Sequence, residues 1–434
     1  MYLRKVFPLV ILAAGEGRRM GEVKPLVKLL GLTFLERTIL SFNEAGITKF
    51  YVVVGYKKEE VKKHVEEIRK RGIDVETIDN DEWEKGNGTS VLTIRGKERK
   101  FFVTMVDHFF EKDVIKDFIE NVGRRNTLLI DKEIDKVFNI HEATKVKLKG
   151  NKIIDIGKEL KEYDAVDTGL FFFNEEIFEA IEEAMKEGNA SLAAGVRKLA
   201  EKGKIYGHEK KRGYWIDADT KEELRIAEKL ILKSIPKKED GIISFNLNRK
   251  VSLKISKWLC NFNISPNLVT ILSFLTAIAG SILFYFGKYI YTALAGIIIQ
   301  FASIIDGCDG EIARLKFLSS PYGAWLDTIL DRYADAIMAI FVTYNGWLIY
   351  RSIIIWFFGL FSLLAFLMAS YSRKEYELRY NKKLEGKIDK LSKRDIRIFS
   401  IFIGSLFNKA FEFMVVIAML HHIIVAIDLA RRRK

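Results

Sequence analysis

Asp306-Gly-Cys-Asp309-Gly310-Glu-Ile-Ala313-Arg314, followed after eight residues by Gly323-Ala-Trp-Leu-Asp327-Thr-Ile-Leu-Asp331, is the stretch from which the rest of this chain is best read. It joins the end of one long apolar run to the start of the next. Asp306 and Asp309 are three apart, and Asp327 and Asp331 four apart, so on helices each pair faces one direction. Four carboxylates converging near a bilayer repel one another, and each costs several kcal/mol if left unpaired. Divalent cations resolve that conflict, and two metals about 4 Å apart suit a pyrophosphate linkage. Gly307, Gly310, Ala313 and Gly323 are small, which lets helices or a nucleotide approach the backbone. One such Asp alone reads better as a solvated helix end or a structural ion pair; the whole constellation does not.

Around this stretch lie six apolar segments: Leu268–Phe286, Tyr289–Ile305, Ala324–Tyr344, Ser352–Tyr371, Ile396–Phe407 and Phe411–Leu429. Most have the roughly 20 residues that a bilayer requires, and the fifth is short. The spacing predicts six transmembrane helices over 266–430, preceded by an amphipathic interfacial helix over 242–259 that carries Lys250, Lys254 and Lys257. The loop from Ser372 to Arg394 is rich in Lys and Arg, and the chain ends in Arg431, Arg432, Arg433 and Lys434. With six spans, both basic segments share the cytoplasmic side with the N-terminal half. The expectation is a multi-pass protein of the cell membrane.

The 434 residues carry a formal net charge of +13, with 49% hydrophobic and 29% charged residues, because apolar and charged residues are segregated into different halves. The basic excess flanks apolar segments, which points to a lipid bilayer and phosphate partners; no basic stretch interleaved with aromatics suggests nucleic acid. Cys260 and Cys308 have no metal-ligand spacing and read as reduced thiols. No signal peptide is read before the first strand. Gln300 is the only glutamine among many Lys and Glu, a thermophile-like composition.

The spacing D-x2-D-G-x2-A-R-x8-G-x3-D-x3-D resembles the signature of CDP-alcohol phosphotransferases, and Asp306, Asp309, Gly310, Ala313, Arg314, Gly323, Asp327 and Asp331 all match it. The resemblance runs from about Asn246 to the C-terminus and includes Ser265-Pro266-Asn267-Leu-Val-Thr270. It implies an all-α membrane domain in which Asp306, Asp309 and Asp327 bind Mg2+ or Mn2+ with help from Asp331. Asp331 is then the general base, one turn from a metal ligand, and CMP is the leaving group. Asn267, Thr270, Gly307, Gly310, Arg314 and Gly323 would line the CDP site. Arg332, Arg373 and Lys374 are near enough in topology to bind an anionic acceptor. His421 and His422, within the sixth stretch, read at least as well as packing residues.

The first half alternates strands and helices. Strands are expected at Val6–Ala14, Phe50–Gly55, Val75–Ile78 and Phe101–Val106, and helices at Phe34–Ala45 and Lys57–Arg71. Further strands are expected near Val146–Ile156, Ala165–Phe173 and Lys204–Tyr206, and a closing helix over Lys221–Lys233. The pattern predicts a Rossmann-like α/β domain with a largely parallel sheet over 1–233, a linker over 234–241 and the membrane domain over 242–434.

Leu12-Ala-Ala14-Gly15-Glu-Gly17-Arg-Arg19-Met-Gly21 follows the first strand, and Lys24-Pro25-Leu26 comes soon after. Glycines there let backbone N–H groups approach phosphates, with Arg19 and Lys24 to hold developing charge. The string resembles the sugar-nucleotidyltransferase superfamily, whose members join an NTP to a sugar phosphate and release pyrophosphate. By that resemblance Ala14, Gly15, Gly17 and Lys24 hold the nucleotide, Gly88, Thr89 and Ser90 read the base, and Asp107 binds metal. Asp167, Thr168 and Gly169 match the sugar-binding segment. The second metal carboxylate lies in Trp215-Ile-Asp217-Ala-Asp219-Thr220, with Asp219 preferred to Asp217 by position. His108 reads as an ordinary loop residue, and Phe171–Phe173 as core.

Joining a domain that uses CDP-alcohols to one that activates sugar or polyol phosphates suggests that the first makes the substrate of the second. The arrangement resembles the bifunctional inositol-1-phosphate cytidylyltransferase and di-myo-inositol phosphate phosphate synthase family. That implies CTP, inositol 1-phosphate and CDP-inositol as ligands, a divalent metal in both active sites and a homodimer through the membrane domain. Two other readings stay open. One is a phospholipid synthase with a CDP-diacylglycerol donor. The other is a membrane sensor or transporter whose soluble domain only binds nucleotide.

Overall fold

The computed structural model describes residues 7–123, 125–236, 241–382 and 389–431. The basic residues 432–434, part of the linker and part of the basic loop after Ser372 lie outside them. The chain divides into two compact units, Met1–Lys233 and Ser234–Lys434.

The first unit begins with β1 (Leu9–Ala13), the hairpin β2 (Lys28–Leu29) and β3 (Leu32–Thr33), α1 (Phe34–Glu44), β4 (Lys49–Val54), α2 (Lys58–Arg69) and β5 (Asp74–Asp79). It continues through α3 (Asn87–Leu92), β6 (Lys100–Met105), β7 (His108–Phe110), α4 (Lys112–Asn121), β8 (Asn126–Asp131), β9 (Lys145–Lys149), β10 (Lys152–Gly157) and β11 (Ala165–Asn174). It closes with α5 (Glu176–Lys186), α6 (Leu192–Glu201), β12 (Ile205–Glu209), β13 (Trp215–Asp217) and α7 (Lys221–Ser234). β1 is apolar and buried at all five positions, as expected of a strand covered on both faces. α1 starts where Thr33 and Glu36 form a reciprocal capping box.

Nine strands form one sheet in the order β5-β4-β1-β6-β11-β8-β12-β10-β9. The β5-β4-β1-β6 half is parallel, while β11 runs antiparallel to both β6 and β8. The sheet is therefore mixed, not largely parallel. The region expected as strand near Val146–Ile156 is the β9–β10 hairpin, turning at Gly150 with φ +64. A second small sheet pairs β7 with β13 and ties Asp217 to His108 in register.

In the second unit, α8 (Arg249–Leu259) follows a π-helical turn at Ser244–Asn248. Then come α9 (Pro266–Ile282), α10 (Tyr289–Leu315), α11 (Pro321–Tyr350), α12 (Ile354–Tyr380), α13 (Arg394–Leu406) and α14 (Ala410–Arg431). Ser265 and Ser320 cap α9 and α11 by accepting from Leu268 N and Gly323 N, each with Pro at the first helical position. Phe284, Ile299, Met338, Val342, Phe366, Ile401 and Met414 form the interior. Phe357, Leu360, Val416 and Ile423 face outward and are more than half exposed, an apolar exterior suited to lipid.

Helices occupy all six expected stretches. Those at Pro266–Phe286, Tyr289–Leu315, Ile354–Tyr380 and Ala410–Ala430 are long and apolar enough to cross a membrane. α11 is long, but its first half carries Asp327, Asp331, Arg332 and Asp335, and α13 has only 13 residues. Among the described residues the chain thus joins an N-terminal α/β unit to a helical C-terminal unit with four helices long and apolar enough to cross a membrane.

Candidate active sites

In the first unit, the ends of β1 and β6 and the residues after β13 converge. Lys24 Nζ forms ion pairs with both Asp107 and Asp219. Arg19 Nη1 pairs with Glu142 and, at 3.2 Å, with Asp219 Oδ2. His108 Nδ1 lies 2.7 Å from Asp107 Oδ1 and 3.9 Å from Asp217 Oδ1. Asp219 N and Thr220 N both donate to Glu223 Oε2 on α7, which fixes the loop bearing the two carboxylates.

The electrostatics are those of a cation site. Burial opposes charge on Lys24, but Asp107 and Asp219 outweigh it and hold the amine above its ordinary range. Burial likewise opposes the Asp107 carboxylate, yet Lys24 and His108 hold it well below the usual range. Asp217 is pushed up by burial to about 7. Burial would lower His108, but Asp217 and Asp107 outweigh it and raise it to about 9. Asp217 Oδ1 is buried and accepts no hydrogen bond among the described residues, so an oxygen is left aimed at Asp107 and His108. Asp107, His108 and Asp217 place ligand atoms within 4.8 Å of one another. These residues fit a divalent cation: Asp107 with Asp217 supplies the ligand grouping, while Asp219 faces Lys24.

Two cavities meet at this point. One, about 230 Å3, is lined by Ala14, Gly15, Gly17, Lys24, Trp83, Asn87, Ser90 and Asp107. The other opens over Asp107, His108, Asp167, Asp217 and Asp219 and continues to Asp131, Lys158 and Lys210. Several expected site residues turn elsewhere. Gly88 donates its N–H to Ala190 O at 2.9 Å, and an added Cβ there would meet that carbonyl. Thr89 donates to Gly86 O at 2.7 Å, closing the turn before α3. Thr168 donates to Leu129 O inside the sheet. Their order in the chain matches the expected segments, but their hydrogen bonds are spent on the fold. Gly169, with φ +80, leaves the space that the His108 ring fills. Trp83 and Asn87 were not expected in the site; Trp83 comes from an exposed-looking turn with no period to mark it.

In the second unit, α10 delivers Asp306 and Asp309 and α11 delivers Asp327 and Asp331. Ligand oxygens of Asp306, Asp327 and Asp331 lie within 4.8 Å of one another. Asp309 stands beside that group, accepting from Thr270 Oγ1 at 2.6 Å, while Ser273 Oγ donates to Asp306 Oδ1 at 3.2 Å. Asn267 Oδ1 lies against Gly323, where an added Cβ would come to 3.0 Å from it. The donor set is three clustered carboxylates with a guanidinium beside them, which fits hard divalent cations.

That guanidinium is Arg394, at the start of α13. Its Nη1 lies 2.6 Å from Asp331 and 3.1 Å from Asp306, and its Nε lies 3.1 Å from Asp335. Asp335 is 1% exposed and is also held by Arg397 Nη2 at 3.0 Å. Arg332 joins the same group, 3.5 Å from both Asp331 and Asp335. Asp335 continues the four-residue spacing of Asp327 and Asp331, a signal that was present in the sequence. Arg394 and Arg397 were hidden at the end of what read as a basic loop and in a short span. Arg373 donates to Ser392 Oγ at 2.7 Å, while Lys374 is exposed and faces Glu377. On the other side of α10, the fully buried Glu311 accepts from Ser252 and Ser256 at 2.6 Å and from Arg249 at 2.7 Å. Arg249 also donates to Gly307 O at 3.1 Å. Arg314 falls on α10, and a Cβ at Gly310 would lie 3.1 Å from its Nη1.

A nucleotide-cradling α/β unit and a helical unit with clustered carboxylates at this spacing define a nucleotidyltransferase joined to a CDP-alcohol phosphotransferase. Residues 9–202 match the MobA-like NTP transferase domain family, and residues 263–427 match the CDP-alcohol phosphatidyltransferase family. Over 441 residues, 98% of both chains, the protein is 36% identical to the "Bifunctional IPC transferase and DIPP synthase" of Aquifex aeolicus. It is 37% identical to the protein of the same description from Thermococcus kodakarensis over 402 residues, 90% of this chain and 88% of that one. The chain belongs to the family of bifunctional IPC transferases and DIPP synthases. A third relative, the "Archaetidylinositol phosphate synthase" of Pyrococcus horikoshii, is 35% identical over 155 residues, 36% of this chain and 76% of its own length.

Proposed function

We propose that the chain carries out two successive reactions: CTP and inositol 1-phosphate give CDP-inositol and pyrophosphate, and CDP-inositol and a second inositol 1-phosphate give di-myo-inositol phosphate phosphate and CMP. The observation that carries this reading is the end-to-end match to bifunctional relatives, with a separate carboxylate cluster in each unit.

In the first reaction a phosphate oxygen of inositol 1-phosphate attacks the α-phosphorus of CTP, and pyrophosphate leaves. Ala14, Gly15 and Gly17 let the backbone approach the triphosphate, while Lys24 and Arg19 offset its charge. Asp167 lines the neighbouring cavity, and we assign that cavity to the polyol. Asp107 with Asp217 or Asp219 would hold Mg2+. In the second reaction a hydroxyl of inositol 1-phosphate attacks the phosphorus bearing inositol in CDP-inositol, CMP leaves, and Asp331 takes the hydroxyl proton. Asp306, Asp309 and Asp327, with Asp331, would hold Mg2+ there. In both sites the metal, when bound, offsets charge on the reacting phosphates. Arg332 and Arg394 stand beside the cluster, suited to an acceptor phosphate. Domain limits of 1–233 and 242–434, six spans, a cytoplasmic N-terminal unit and a homodimer through the membrane unit belong to the same reading.

The test is phosphorus NMR of the purified chain in detergent with CTP, Mg2+ and inositol 1-phosphate. Pyrophosphate, CMP and a phosphodiester are expected. No pyrophosphate with inositol 1-phosphate would refute the polyol assignment. The match to a lipid synthase over the second half keeps one alternative: CDP-inositol that forms but is never consumed would favour a lipid substrate instead.

A further inference from the structure

The four-residue spacing that aims Asp327 and Asp331 continues to Asp335, and spacing alone would make it a fifth metal carboxylate. The structure gives it other company. It lies two turns beyond Asp327, about 12 Å further along α11, and outside the group formed by Asp306, Asp327 and Asp331. It is buried, and both its oxygens are engaged by guanidinium groups. Oδ1 meets Arg394 Nε at 3.1 Å, and Oδ2 meets Arg397 Nη2 at 3.0 Å.

Arg397 fixes that carboxylate from behind. Its guanidinium lies over the Phe366 ring, 5.1 Å from the centroid, and its Nη1 donates to Phe366 O at 2.7 Å. Phe366 sits on α12, in the apolar interior of the unit. On the other side, Asp335 grips Arg394 by Nε. A guanidinium is planar and rigid, so holding Nε sets the direction of both terminal nitrogens. Nη1 then reaches Asp331 at 2.6 Å and Asp306 at 3.1 Å, while Nη2 makes none of the described hydrogen bonds. Asp306, Asp331, Asp335 and Arg394 line one cavity. Without the pull on Nε, the long arginine would be drawn by Asp306 and Asp331 alone and would compete with a cation for their oxygens.

We infer that Asp335 is a positioning residue for the second reaction. It binds neither metal nor substrate; it holds Arg394 at the edge of the carboxylate cluster, with Nη2 left for the phosphate of the acceptor. This rests on the proposed transfer to inositol 1-phosphate.

The experiment follows CMP release from supplied CDP-inositol, inositol 1-phosphate and Mg2+ by the full chain in detergent. Asp335→Asn keeps the size of the side chain and removes its charge. It is expected to lower kcat/KM for inositol 1-phosphate by about tenfold or more, with KM for CDP-inositol and the Mg2+ requirement as in wild type. Combined with Arg394→Ala, it should cost nothing beyond Arg394→Ala alone, because Asp335 acts through that residue. A combined loss equal to the product of the two single losses would overturn the inference. So would a raised Mg2+ requirement, the mark of a metal ligand, or unchanged acceptor kinetics in Asp335→Asn. The substitution also strands Arg397 in the interior, so it is built a second time with Arg397→Met, and unfolding midpoints are followed throughout. A recovered midpoint with the acceptor defect kept is the expected result. Acceptor kinetics that recover with the midpoint would reduce Asp335 to a structural role. A wild type that releases no CMP with inositol 1-phosphate would overturn the acceptor reading and this inference with it, whereas the variants bear on the inference alone.

Discussion

The two units solve the same problem by different means. Each gathers carboxylates around basic side chains at a phosphate-handling site. In the first unit the participants, Lys24, Asp107, Asp217 and Asp219, meet because sheet order brings their strand ends together. In the membrane unit Asp306, Asp327 and Asp331 come from two consecutive helices, and spacing of three and four residues suffices to aim them. A helical site is thus written in local spacing, while a strand-end site is written in topology.

The largest expected effect separates the two sites outright. Asp107→Ala should lower pyrophosphate release on the order of 10³- to 10⁴-fold and leave CMP release from supplied CDP-inositol intact. Asp331→Ala should do the reverse and let CDP-inositol accumulate. The check is phosphorus NMR of both variants beside wild type. A loss of both activities from either substitution would break the picture of two independent sites.

This contrast also explains what could be read from the sequence. The D-x2-D and D-x3-D pairs were legible because helical periodicity turns spacing directly into geometry. Arg394 and Arg397 were not, since α13 reaches the cluster by tertiary packing and its start looked like a basic loop. In the first unit, β1 and its glycine turn were plain, but β8, β7 and β13 were not read. The mixed sheet follows from β11 running antiparallel between β6 and β8, a pairing that no local pattern carries. Thr89 and Thr168 look like binding residues in the chain, yet their hydroxyls close backbone turns and strands.

The next effect concerns Glu311, inside the membrane signature but turned away from the carboxylate cluster. It is fully buried and held by Arg249, Ser252 and Ser256. Glu311→Ala leaves Arg249 beside Gly307 without that carboxylate and should destabilise the unit by about 3–5 kcal/mol. Thermal unfolding in detergent measures it, with pyrophosphate release as the control that the first unit is spared. An unchanged midpoint would mean that α8 is not anchored through this residue.

Arg394→Ala should reduce CMP release by about 10²-fold, because one guanidinium donates to Asp306, Asp331 and Asp335 together. Arg394→Lys should recover only part, since a point charge cannot reproduce the fork. Steady-state CMP release from supplied CDP-inositol is the measurement, and full activity in the lysine variant would show that charge alone is required.

The smallest effect sets Asp167 of the first unit against Asp335 of the membrane unit. Asp335 is enclosed by arginines, whereas Asp167 accepts from Gly169 N–H at 2.7 Å and forms no ion pair among the described residues, so burial pushes it up to about 6. The sign follows from proton linkage. Between about pH 4 and 6 the folded chain holds a proton on Asp167 that the unfolded chain has released, so this residue's contribution to stability falls as pH rises through that window. Asp167→Asn mimics the protonated form and removes the dependence. Relative to wild type, the variant should therefore gain stability on going from pH 4 to pH 7, by on the order of 1–2 kcal/mol. Unfolding midpoints of the two full chains at both pH values decide it. A gap that stays constant would mean that Asp167 is already ionised in the fold, and that the polyol cavity meets its substrate with a charged carboxylate.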